Sequence, residues 1–178
     1  MRANKGKMNK AAQIGCADGQ RFDIRIASDG RWFHEGGEIR RKALVKLFST
    51  VLKCDPDGAF WLETPFEKGR IEVEDAPFIV TTLRIAQSGD PNAGVHSALS
   101  FITNVDDHVP LDVVHPLKML PSPDGSGLRP YIEVRDGLLA KLSRPVYYEL
   151  ATRAVADDGG SIGVWSHGHF FVLEACNR

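Results

Sequence analysis

Apolar Phe22, Ile24 and Ile26 alternate with Asp23 and Arg25, the period-2 pattern of a half-buried strand. Asp29-Gly30 follows as a hairpin turn whose residues tolerate positive φ, and Trp32 and His34 begin the return strand. The period then changes. Leu44, Leu47, Phe48 and Val51 fall at i, i+3, i+4 and i+7, while Arg41, Lys42, Lys46 and Ser49 occupy the opposite arc, which predicts a surface helix with one buried stripe. Asp57-Gly58 ends that helix. Residues 59–63 and 70–74 form a closing hairpin, with Ile71 and Val73 on one face and Glu72 and Glu74 on the other.

The same order of patterns returns between Tyr131 and Cys176. Tyr131, Ile132 and Val134 lead into Asp136-Gly137, residues 138–142 return, and Ser143 and Pro145 open a helix carrying Val146, Tyr147, Leu150, Ala151 and Ala154. Setting Arg41 opposite Arg144 aligns the two helices, and Asp158-Gly159 then leads to a hairpin of residues 161–165 and 169–173. Between the copies, residues 78–86, 98–103 and 113–119 read as strands. Gly89-Asp90-Pro91-Asn92 and residues 121–125 read as loops, the second as an interdomain linker. Strands 78–119 could instead complete the first sheet.

The expectation is an α+β chain, rich in β, with two small domains built on a repeated β-hairpin/helix/β-hairpin unit. Residues 1–20 are a tail, 21–80 the first repeat domain, 81–130 a β-rich connection and 131–178 the second repeat domain. Two such units facing each other would form a cleft at their junction.

Bulk properties narrow the classes of function. A chain of 178 residues with 43% apolar content can bury a core unaided. Cys16, Cys54 and Cys176 have neither a paired count nor metal-ligand spacing, and no secretory segment precedes them, so a reducing cytoplasm is the natural reading. No apolar run approaches the ~18 residues that span a bilayer. A net charge of -1 and a pI of 6.6 argue against nucleic acid as a partner. Basic character is concentrated at Arg2, Lys5, Lys7 and Lys10 in the N-terminal tail.

The run DGRWFHEGGEIRRKALVKLFSTVL, followed in order by LETPFEK, RIEVEDAPF, FITN, HPLK and PYIEVRDGL, resembles a bacterial family known only as a domain of unknown function. The likeness extends from Ile24 to about Leu150. It implies a two-domain fold with repeated β-α motifs and an interdomain cleft, for which a nucleotide-like ligand and a signalling role have been suggested; it implies no reaction. Lys118 stands where the family pattern has Arg, and the first twenty residues lack the family's aromatic-rich segment.

Candidate binding residues follow from chemistry. Arg40, Arg41 and Arg144 sit at helix mouths, where the dipole disfavours a cation, so anion recognition accounts for Arg41 and Arg144 as well as ion pairing with Glu35, Glu38 or Glu149 does. Thr64 and Glu67 either close a hairpin loop or contact ribose or base edges. Trp32, Tyr147 and Tyr148 are core residues or stacking platforms. Neighbouring helical positions differ by ~100°, so Tyr147 and Tyr148 cannot both face one core. His34 and His115 lie on strands, as packed residues or as groups titrating beside a phosphate. His167-Gly168-His169 fits a hairpin tip better than a metal site.

No P-loop, G-x-S-x-G, G-x-G-x-x-G or H-E-x-x-H occurs, so no catalytic residue, metal or cofactor is implied. The leading expectation is a sensor or signalling module that binds a small anionic, nucleotide-like ligand. A hydrolase using His and Glu from the cleft is the second class, and a protein-protein adaptor docking through Glu72 and Glu74 is the third.

Overall fold

Two parallel strand pairings, one in each half of the chain, organise everything else. The computed structural model describes residues 20–86, 98–123 and 125–174. Residues 1–19 of the expected N-terminal tail and the Gly89–Asn92 loop lie outside them, and Gln20 opens the first strand.

The first sheet contains β1 (Gln20–Ile26), β2 (Trp32–His34), β3 (Gly37–Glu38), β4 (Leu52–Cys54), β5 (Phe60–Glu63) and β6 (Lys68–Val73), with α1 (Lys42–Thr50) crossing between β3 and β4. Its order is β3-β2-β1-β6-β5-β4, and only β1 and β6 run parallel. The second sheet contains β7 (Phe78–Ala86), β8 (Ala98–Thr103), β9 (His108–Pro110), β10 (Leu117–Pro121), β11 (Leu128–Arg135) and β12 (Leu138–Leu142). Its order is β10-β11-β12-β7-β8-β9, and only β12 and β7 run parallel. Then α2 (Arg144–Ala151) packs on β7 and on the last sheet, β13 (Val155–Ala156), β14 (Ile162–Ser166) and β15 (His169–Glu174). The chain is α+β with far more strand than helix. Among the described residues no helix is long and apolar enough to cross a membrane.

The repetition lies in a different place from where the sequence suggests it. β1–β6 and β7–β12 have the same strand order: two three-stranded meanders joined by the first strand of one and the last strand of the other. The proposed halves are unlike, because β6 closes onto β1 whereas β15 pairs with β14 and not with β11. Their hairpins differ too. Asp136 and Gly137 both have positive φ and form a two-residue loop between Arg135 and Leu138. The β1–β2 loop runs from Ala27 to Arg31, and only Gly30 within it is left-handed. Residues 81–130 are no mere connection, since they supply most of the second sheet, and the expected linker lies inside it, where the Ser122 N–H bonds the Gly127 carbonyl at 2.7 Å between β10 and β11.

One continuous core spans all three sheets, from Ile24, Ile26 and Trp32 through Phe78, Phe101 and Ile132 to Val164 and Leu173. Its contacts rotate α1 from the expected stripe. Leu47 is 60% exposed and Ser49 is buried, because Ser49 Oγ donates to the Lys46 carbonyl at 2.7 Å and its own carbonyl accepts from Arg135 Nη2 at 2.7 Å. Residues 113–116 are not strand. Asp112 Oδ1 accepts the Val114 and His115 N–H groups at 2.9 and 2.8 Å, closing a turn that leaves Val113 and Val114 exposed.

Gly30 joins the two sheets. Its carbonyl accepts Asn104 Nδ2 at 3.2 Å, while Asn104 Oδ1 and N bond Ile79 N and O at 3.0 and 2.8 Å. With φ at +82°, a Cβ here would stand 2.6 Å from Ile79 Cγ1 and 2.9 Å from Asn104 Nδ2. Gly30→Ala therefore combines left-handed strain with a clash and should cost about 2 kcal/mol or more in urea denaturation; an unchanged midpoint would contradict this account of the contact.

Candidate functional site

Strand β11 reads Leu-Arg-Pro-Tyr-Ile-Glu-Val-Arg, and its alternation separates two kinds of chemistry. Pro130, Ile132 and Val134 are buried, while Arg129, Tyr131, Glu133 and Arg135 form a polar row on the other face. That row meets the first sheet. Tyr131 Oη donates to Asp75 Oδ1 at 2.7 Å, and Arg129 Nη1 reaches Asp75 Oδ2 at 3.3 Å. Lys141, opposite Tyr131 on β12, donates to Asp75 Oδ2 at 2.6 Å and to the Ser28 carbonyl at 2.5 Å. The Asp75 side chain is 3% exposed. A carboxylate so buried requires its partners, since removing one from a buried pair leaves an uncompensated charge.

A second bridge lies along the same row. Arg135 Nη1 pairs with Asp107 Oδ2 at 2.9 Å, and its guanidinium lies 5.3 Å from the Phe78 ring centroid. From α1, Lys42 and Lys46 pair with Asp106 at 2.7 and 3.2 Å, holding that residue at a φ of +64°. Lys118 pairs with Glu133 at 2.5 Å within the row.

The open side of this arrangement is a groove of about 420 Å³ between the β11–β12 pair and α2. Arg129, Lys141 and Arg144 contribute three cations to its wall, Tyr147 and Tyr148 contribute rings, and among the described residues no lining residue is acidic. Asp75 behind the wall offsets one of the three charges. Arg144 occupies the first turn of α2 after Ser143, whose side chain makes no capping bond. As the ~100° step requires, the two tyrosines diverge: Tyr148 is 63% exposed, whereas Tyr147 packs partly against the core.

The structure divides the sequence-derived candidates. Arg144, Tyr147 and Tyr148 share the groove. His34, Thr64 and Glu67 line a separate depression of about 370 Å³ floored by Phe22, Phe48, Val51 and Leu62. The Thr64 hydroxyl is engaged in its own turn, bonding Glu67 N at 3.0 Å and Glu67 O at 3.1 Å. Trp32 is core, 1% exposed and stacked on Phe48 at 6.2 Å. His115 Nδ1 sits 3.0 Å from Asp112 Oδ1 in the 112–115 turn. Arg41 is the N-cap of α1, exposed, and lines neither depression. It corresponds to Ser143 in α2, so it is not the counterpart of Arg144. Sequence reasoning missed Arg129, Lys141 and Asp75. Each is a charged residue on or beside an apolar strand, and the cation at Lys141 in Leu-Leu-Ala-Lys-Leu is the signal that could have marked the place.

Against known proteins, the chain matches the model of the DUF1285 domain of unknown function, N-terminal domain, over residues 16–76, and the C-terminal domain of the same family over residues 77–173. A DUF1285 family protein from Silicibacter pomeroyi DSS-3 is similar in crystal structure, with a TM-score of 0.79 and 35% identity across 94% of this chain and 92% of that one. A second, from Shewanella baltica OS155, gives 0.56 and 27% across 74% and 91%. No match among curated proteins accompanies them. The chain is a two-domain protein, and it belongs to the DUF1285 family. The family boundary falls between β6 and β7, so Asp75, just before it, is bound by side chains from beyond it.

Acid should weaken the bridge between the domains. Lys42, then Lys46, hold the Asp106 carboxyl below its ordinary value of 3.8 across the junction, as Lys118 holds Glu133 below 4.5 within the second sheet. Groups depressed in the folded state contribute stability that is complete above their unfolded values and is lost as pH falls through the folded ones. The stability difference between wild type and Asp106→Asn should therefore shrink as the pH is taken from 6 to 2. A difference that stays constant over that range would show that Asp106 is not stabilised by its lysines.

Proposed function

We propose that the protein binds a small anionic ligand bearing a ring, of nucleotide type, in the groove between α2 and the β11–β12 pair, and that it serves as a sensor or signalling module. The supporting observation is the wall itself: Arg129, Lys141 and Arg144 beside Tyr147 and Tyr148, with no carboxylate among the described lining residues. A guanidinium presents paired donors to phosphate or carboxylate, and an exposed tyrosine offers a flat apolar face to a base. The dipole of α2 disfavours a cation at Arg144 when the groove is empty and favours an anion beside it. Specificity would then come from Ser126 and Ser143 at the rim.

The hydrolase reading has less support. His34 stands near Thr64 and Glu67, but that hydroxyl closes its own turn, and the Asp112 carboxylate beside His115 is engaged by two backbone N–H groups of its turn.

Isothermal titration with adenine and guanine mononucleotides, and separately with inorganic phosphate and pyrophosphate, distinguishes ring recognition from anion recognition. A nucleotide should bind more tightly than phosphate. Arg144→Ala should weaken both classes by about tenfold or more, the loss of one charge-assisted hydrogen bond, and Tyr148→Ala should weaken only the nucleotide. Absence of heat with every anion would overturn the reading.

A further inference from the structure

We infer that occupancy of the groove is communicated to the domain junction through Lys141 and Arg129, with Asp75 as the positioning residue, so that ligand binding tightens the contact between the two domains. This rests on the anion-binding reading above. The two cations belong to both places at once. Each lines the groove, and each is held from behind by groups outside the C-terminal domain: Lys141 by Asp75 Oδ2 and the Ser28 carbonyl, Arg129 by Asp75 Oδ2. Tyr131, buried between them, spends its hydroxyl on the other Asp75 oxygen.

The physical consequence is reciprocal. When the domains separate at this junction, Lys141 loses a carboxylate and a carbonyl, and Arg129 loses the carboxylate. Both long side chains then regain rotamer freedom, so the groove no longer presents its charges in one arrangement. A ligand that needs that arrangement binds the docked state better than the opened one, and it must shift the equilibrium toward docking by the same factor. The neighbouring acids and bases leave this route open. Glu74 is occupied by Arg25 and by the Ser28 N–H at 2.9 Å, Glu133 by Lys118, and Asp107 by Arg135, so Asp75 is the carboxylate that faces the groove cations from the first domain.

Amide exchange reads the residues that flank the junction on either side. The Ile79 and Asn104 N–H groups bond one another's residue within the second sheet, where Asn104 Nδ2 also reaches the Gly30 carbonyl of the first, and the Ser28 N–H bonds Glu74 beside Lys141. The full-length protein is followed by NMR hydrogen exchange with adenosine monophosphate, and separately with pyrophosphate, with binding measured on the same samples by calorimetry. At free probe a hundredfold above its Kd, exchange at Ser28, Ile79 and Asn104 should slow by up to about a hundredfold. In Asp75→Asn the probe should bind more weakly, and its slowing of these amides should be lost. Lys141→Met serves the same purpose should Asp75→Asn not fold. Arg144→Ala, which weakens the probe about tenfold, should show about tenfold less slowing at the same free probe concentration.

Binding with unchanged exchange at these three amides would overturn the communication while leaving the groove reading intact. Slowing that persists in both Asp75→Asn and Lys141→Met would also overturn it, by removing Asp75 from the route. Absence of binding by adenosine monophosphate, pyrophosphate and the other anions of the calorimetric series would overturn both readings.

Discussion

Asp75 is the constraint on which the arrangement of this chain depends. It stands at the passage from β6 to β7, where one sheet ends and the other begins, and its side chain is withdrawn from solvent. A carboxylate in that position is tolerated only if its charge is met, and three groups of the second sheet meet it: Tyr131, Arg129 and Lys141. The relative placement of the domains and of the groove cations are thus two aspects of one electrostatic requirement. Moving the domains apart uncovers the carboxylate, and moving the cations into the groove strips its partners.

The two six-stranded sheets reach that junction by the same route. In each, a meander returns to lay its last strand parallel to the first, burying the central pair and leaving short antiparallel strands at the edges. The first sheet inserts α1 in the crossover, and the second inserts the Asp112-centred turn there instead. This difference is what lets α1 reach across to Asp106 and receive Arg135 at its last turn. Guanidinium donation to an α1 carbonyl also suits the negative end of that helix. The domains are therefore joined by Gly30 with Asn104, by α1 with the 106–107 turn, and by Asp75 with the β11–β12 pair.

Much of this was legible in the residues. Continuous β-branched and aromatic runs marked β7 and β8 at their observed ends, the helical period marked both helices, and the separation of Tyr147 from Tyr148 followed from helical geometry. What was not legible depended on tertiary partners. Ser49 looked like a solvent residue and is buried because Arg135, 86 positions later, takes its carbonyl. Val113 and Val114 looked like strand and are exposed because the Asp112 side chain takes the Val114 and His115 N–H groups away from any ladder. Pairing Arg41 with Arg144 rested on aligning the apolar positions of the two helices, whereas the helix caps align Arg41 with Ser143. The groove was half visible: α2 supplied Arg144 and the tyrosines, but Arg129 and Lys141 sat inside strand patterns where a cation reads as an outward residue.

A double-mutant cycle between Asp75 and Lys141 tests the central claim most directly. Asp75→Asn, Lys141→Met and the pair are compared by urea denaturation of the full-length chain. If the buried carboxylate and the groove lysine are one unit, the double variant is far less destabilised than the sum of the singles, with a coupling of about 1–3 kcal/mol. Additive effects of the two substitutions would contradict the account.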